Sequence, residues 1–110
     1  MNIHEYVTNE GISPFKGWFS ALDARAAAKI TVALTRLARG NTSNVKSVSS
    51  GVYEYKIDFG PGYRIYFAYD GPHLVILLAG GTKKRQQQDV STAKERWNDF
   101  KQRKKAQKGG

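Results

Sequence analysis

The chain has no cysteine among its 110 residues, so disulfides, thiolate metal ligands and a cysteine nucleophile are excluded. Only two histidines occur, His4 and His73, and they stand far apart, so no zinc site is expected. There is no GxSxG turn and no serine with an evident histidine partner, which argues against triad hydrolases. No run approaches the roughly 20 apolar residues of a membrane span. The segment Met1–Gly11 lacks the charged-then-apolar pattern of a secretory signal. A soluble cytoplasmic protein with no cofactor, no metal and no membrane partner is the expectation.

Acidic residues are also scarce. There are 9 of them against 18 Lys and Arg, a formal net charge of +9. The excess is uneven: residues 83–110 hold 10 basic and 3 acidic side chains, residues 1–82 hold 8 and 6. Such asymmetry suits a nucleic acid or an acidic protein partner. A solvated basic tail would produce the same numbers.

The patterning that is present describes one small α+β domain. Ile3–Thr8 alternates weakly and reads as a first strand. Ser13 and Pro14 suit the N-cap and first position of a short helix through Phe15, Trp18 and Phe19. Asp23 caps a second helix that runs through Arg39. Its apolar stripe is Ile30, Leu34 and Leu37 with Ala26, Ala27 and Ala33, and Gly40-Asn41 ends it. Arg25, Lys29, Arg36 and Arg39 lie off the stripe. Asn41–Ser50 reads as a loop or an irregular edge.

Three strands follow, over Val52–Phe59, Tyr63–Tyr69 and Leu74–Ala79. Matching apolar faces across a three-residue Gly60-Pro61-Gly62 loop pairs Phe59 with Tyr63, Ile57 with Ile65 and Tyr55 with Phe67. Asp58 then faces Arg64, and Lys56 faces Tyr66. Leu74–Ala79 does not alternate, as in a strand covered on both faces or central in its sheet. Val90, Ala93, Trp97 and Phe100 mark a last amphipathic helix beginning near Asp89. The expected order is β-α-α-β-β-β-α, a helical hairpin packed on one side of a small, mainly antiparallel twisted sheet. The domain is read as 1–100, and the basic residues 101–110 as a disordered tail.

Chemistry concentrates on the polar strand face and the loop beyond it. Arg64 could bind a phosphate and stabilise developing charge. Lys56 could orient a phosphate or help shift a proton, and Tyr66 could stack on a base. On residue chemistry alone, an ordinary Asp58–Arg64 cross-strand ion pair, worth under about 1 kcal/mol, is the favoured explanation. Gly80-Gly81 would let backbone approach a ligand, with Lys83, Lys84 and Arg85 supplying charge. The spacing is not that of a nucleotide-binding P-loop. RNA cleavage needs little more than this, because the 2′-hydroxyl is its own nucleophile.

The stretches Val52-Tyr53-Glu54, Gly60-Pro61-Gly62-Tyr63-Arg64-Ile65-Tyr66 and Leu77-Leu78-Ala79-Gly80-Gly81-Thr82-Lys83, with Gln86 or Gln87, Asp89 and Ala93, carry a resemblance over about residues 2–100. The chain resembles the RelE/ParE toxin superfamily of bacterial type II toxin–antitoxin systems, and within it the HigB-like addiction module killer proteins. The resemblance implies the RelE-like fold and a toxin held by a cognate antitoxin, usually a helix-turn-helix DNA-binding protein. Through that complex the toxin would meet operator DNA. It also implies a ribosome-dependent, metal-independent mRNA endoribonuclease. It implies Arg64 and Lys83 as catalytic residues, with Lys56 on the preceding strand as an additional member and Lys84 and Arg85 on phosphate or RNA; Tyr66 joins this catalytic set from its residue chemistry, as a base contact. Thr82 stands where an acidic residue is expected, and the last helix offers no Tyr or His as a proton shuttle. A ParE-like gyrase inhibitor without catalysis is the alternative on the same fold.

Overall fold

The computed structural model describes residues 1–109. Its elements are β1 (Asn2–Glu5), α1 (Pro14–Ser20), α2 (Ala24–Ala38), β2 (Val45–Ser49), β3 (Val52–Ile57), β4 (Tyr63–Tyr69), β5 (Leu74–Thr82), one 3-10 turn (Lys83–Arg85) and α3 (Gln86–Gly109). The caps are the expected ones. Ser13 Oγ accepts from Lys16 N at 3.1 Å, and Asp23 Oδ1 accepts from Ala26 N at 2.9 Å. At the far end of α2, Gly40 adopts φ +81 and the Asn41 amide donates to Arg36 O, closing the helix as a left-handed glycine does.

The five strands form one sheet in the order β1-β5-β4-β3-β2, with β1 parallel to β5 and the other pairs antiparallel. This is the expected mixed α+β fold with one more strand. Val45–Ser49, part of the segment read as a loop or irregular edge, pairs with β3 through a bulge.

Helices cover both sides of the sheet rather than one. Phe15, Ile30 and Leu37 from α1 and α2 pack on Tyr55, Ile57, Ile65, Phe67, Val75 and Leu77. On the other side, Ala93 and Trp97 from α3 pack on Val52, Tyr66, Ala68, Ile76 and Leu78. Double coverage is the physical reason β5 shows no polar alternation. A bulge between β4 and β5 leaves Leu78 outside the ladder, and its carbonyl accepts from Arg96 Nη1 at 2.7 Å. That bond ties α3 to β5, an interior strand of the sheet.

Two further expectations change. The β3–β4 register is Ile57 with Tyr63, Tyr55 with Ile65 and Tyr53 with Phe67, two residues from the pairing predicted. The loop spans Asp58–Gly62, with Gly60 and Gly62 at positive φ. A slip of two keeps every side chain on its face, so face matching alone could not detect it. It places Asp58 in the exposed loop and Lys56 opposite Arg64, which removes the Asp58–Arg64 pair. Residues 101–109, read from composition as a disordered tail, continue α3 as helix. Lys104 Nζ bonds Asp70 at 2.5 and 2.7 Å, and Arg103 Nη2 donates to Val7 O at 2.6 Å. These contacts fasten the extension to the turn before β5 and to the chain beyond β1.

Candidate functional site

The Asp58–Gly62 loop, β4 and the end of β5 converge on one carbonyl. Gly62 O accepts from Arg64 Nη1 at 2.7 Å and from the Lys83 amide at 2.9 Å. Gly62 adopts φ +79, and a Cβ there would lie 3.1 Å from Arg64 Nη1 and 3.4 Å from Lys83 Cβ. Glycine is required both for the turn and for this approach. Lys56 sits across the ladder from Arg64 and is exposed. Lys83, Lys84 and Arg85 are exposed on the 3-10 turn. Arg64, Lys56 and Lys83 therefore share one end of the sheet, with Lys84 and Arg85 beside them.

Arg64 itself is 4% exposed. Its Nε lies 3.6 Å from Glu54 Oε1, and Glu54 is 1% exposed. Glu54 Oε2 accepts from Gln86 Nε2, on the first turn of α3, at 2.7 Å. The guanidinium is thus fixed from two sides, by a turn carbonyl and by a buried carboxylate that α3 holds in place. Such fixation lowers the reorganisation needed when charge develops nearby.

Tyr66 is fully buried among Ala93, Trp97 and the inner strand residues. Burial first, then the negative charge of Glu54 and Asp89, pushes its phenol well above the ordinary tyrosine range. It stays neutral and offers no face for stacking on a base, so its place is in the core beneath α3. The glycine pair also reads differently. β5 continues through it to Thr82, and the two missing side chains make room inside the protein. A Cβ on Gly80 would overlap the Trp18 ring, and one on Gly81 would overlap the Asp89 carboxylate. Burial pushes the Asp89 carboxyl up, while Arg85 and Arg96 pull it down.

The roles of Glu54 and Gln86 were not foreseen. Both belong to the stretches that carry the family resemblance, which was the signal available. Their contact joins residues on opposite ends of the hairpin and helix, so no local pattern reports it. Open grooves flank Lys56. One of about 440 Å³ is bordered by Asn44, Lys46, Glu54, Lys56 and Asp58. Another, of about 270 Å³, is bordered by Lys29, Arg36, Lys56 and Phe59 among others. Among the described residues, no three His, Asp or Glu side chains gather into a metal-holding group. No described helix is long and apolar enough to cross a membrane.

A doubly covered, mainly antiparallel sheet with a basic cluster at one end defines a small α+β protein compatible with the RelE-like fold. Residues 17–105 match the family described as "Phage derived protein Gp49-like (DUF891)", and the chain belongs to it. That family is one of RelE/HigB-like toxins in toxin–antitoxin systems. An uncharacterized protein of Haemophilus influenzae is 46% identical over 81 residues, 73% of this chain and 82% of its own length.

Proposed function

We propose that the protein is a HigB-like toxin that acts in the cytoplasm as a ribosome-dependent, metal-independent mRNA endoribonuclease and so blocks translation. The observation that carries this reading is the Gly62 carbonyl that links Arg64 to Lys83, with Lys56 across the strand. In the reaction the substrate 2′-oxygen attacks the adjacent phosphorus and the 5′-oxygen leaves. Negative charge grows on the non-bridging oxygens, and the Arg64 guanidinium opposes it from a low-dielectric wall. Exposed Lys56 and Lys83 meet the phosphate, and between them they take the proton of the attacking 2′-hydroxyl and return one to the departing 5′-oxygen. Lys84 and Arg85 hold the flanking backbone. Tyr66 supports the site from the core. The cognate antitoxin, a helix-turn-helix DNA-binding protein, neutralises the toxin and brings it to operator DNA.

The test is induction of the chain in cells with mapping of mRNA 5′ ends beside the DNA-damage response. Codon-phased cuts that vanish with Lys83→Ala support the reading. Intact mRNA with double-strand DNA breaks would overturn it in favour of a ParE-like gyrase inhibitor.

A further inference from the structure

The helical state of residues 101–109 creates a surface that composition alone did not suggest. Lys101 and Lys104, and Lys105 and Lys108, are three apart, and Lys101 and Lys105, and Lys104 and Lys108, are four apart, so the four share one side of α3. Asp99 is the last acidic residue of the chain. The lysines rim a hollow of about 240 Å³ whose aromatic wall is Trp97 and Phe100. Those rings are stacked, with centroids 5.5 Å apart and planes at 14°, and Lys101 Nζ lies 5.5 Å from the centre of the Trp97 ring. The single acid in the hollow, Asp70, is already held by Lys104.

We propose that this hollow docks a single-stranded stretch of RNA outside the cleavage site, Phe100 offering an edge to a base and Lys101, Lys105 and Lys108 meeting successive phosphates. The inference rests on the RNA-directed reading above and adds a second contact to it. Cations clustered beside an aromatic edge suit single-stranded nucleic acid, because every linkage carries a charge and the unpaired bases are free to meet the ring. A lipid surface fits poorly. Trp97 is 8% exposed and already packed on the sheet, so no apolar face is left to enter a bilayer. With α3 rising about 1.5 Å per residue, Lys101–Lys108 stand on the order of 20–35 Å from Gln86. The RNA held here is therefore several nucleotides from the scissile bond.

The experiment uses the full chain and a fluorescent single-stranded RNA carrying 2′-O-methyl groups throughout, which removes the nucleophile and separates binding from cutting. Affinity is measured from low to physiological salt for the wild type, for the triple variant Lys101→Gln/Lys105→Gln/Lys108→Gln, and for Lys83→Ala. The expected result is a log–log salt slope shallower by about 2 in the triple variant, as three lost phosphate contacts on a single strand imply. Lys83→Ala should lose at most one contact's share of that slope. The inference is overturned if the triple variant, with its helix content unchanged by circular dichroism, binds with the wild-type slope. It is overturned equally if the wild type does not bind the RNA, or binds polyglutamate as tightly. Loss of cutting without loss of this binding would leave the docking face standing while locating the defect in the cleavage site.

Discussion

Glu54 Oε1 and Arg64 Nε lie 3.6 Å apart inside the protein, each 1–4% exposed, and neither atom has a hydrogen-bonding partner of its own. A buried pair of this kind is costly to break from one side, because the survivor is left as an unpaired charge. It couples the stability of the fold to the group that the proposed chemistry relies on.

Glu54→Ala should therefore lower stability by roughly 3 kcal/mol, since it strands Arg64, and Arg64→Ala by less, since Glu54 Oε1 keeps the exposed Lys46 Nζ at 3.8 Å. The double variant Glu54→Leu/Arg64→Met should recover most of that loss while remaining inactive. Urea unfolding of all three beside an RNA-cleavage assay checks this. A double variant that is less stable than both singles would show that the pair is not the origin of the loss.

Among the described residues, exposed Lys56 and Lys83 make no fold-holding side-chain bonds, so Lys56→Ala and Lys83→Ala should each change stability by under about 0.5 kcal/mol. Their cleavage rates should fall by on the order of 10²-fold or more, the usual cost of losing one group that stabilises the transition state. Rate measurements with programmed ribosomes decide it. Wild-type cutting by both would remove them from the site.

Tyr66→Phe should retain activity, because the hydroxyl is buried without a partner and the ring packs in the core. The same variant should alter the alkaline limb of stability. The folded phenol ionises only above the ordinary value of 10.0, so the unfolded chain loses its proton first. Stability from this group is intact below about pH 10 and declines as pH rises past it. Thermal melts at pH 8 to 11 should show a shallower decline in Tyr66→Phe.

Gly80→Ala should cost about 2 kcal/mol or more by driving a methyl into the Trp18 ring. Gly17→Ala is the control: nothing lies within 4 Å of its Cβ and it sits inside α1. It should stabilise by about 0.5–1 kcal/mol. Melting temperatures of the two variants should move in opposite directions.

Much of the local structure was legible in the residues. Ser13-Pro14, Asp23 and Gly40 announced the helix ends, and the Ile30, Leu34, Leu37 stripe announced the buried face of α2. The grouping of the candidate site's residues was legible in part. Arg64, Lys83 and Lys56 do gather at one sheet end, but Tyr66 turned out to be core, and Glu54 with Gln86 had no expected role. Polar residues on a strand look solvent-facing until something covers them. Here α3 covers them, and its start at Gln86 rather than near Asp89 supplies the amide that holds Glu54.

What the sequence determined by itself was parity: strand alternation assigns each side chain of β3 and β4 to one face, because the pleat has a period of two. It also determined the excess of positive charge and the absence of thiol chemistry. Only the tertiary structure decided the register, since a two-residue slip preserves parity and is selected by loop geometry and by the neighbouring strands. Only it decided that the polar face is roofed by α3, and that residues 101–109 are helix. Those outcomes depend on Arg96, Lys104 and Arg103 reaching Leu78, Asp70 and Val7, contacts between segments far apart in the chain.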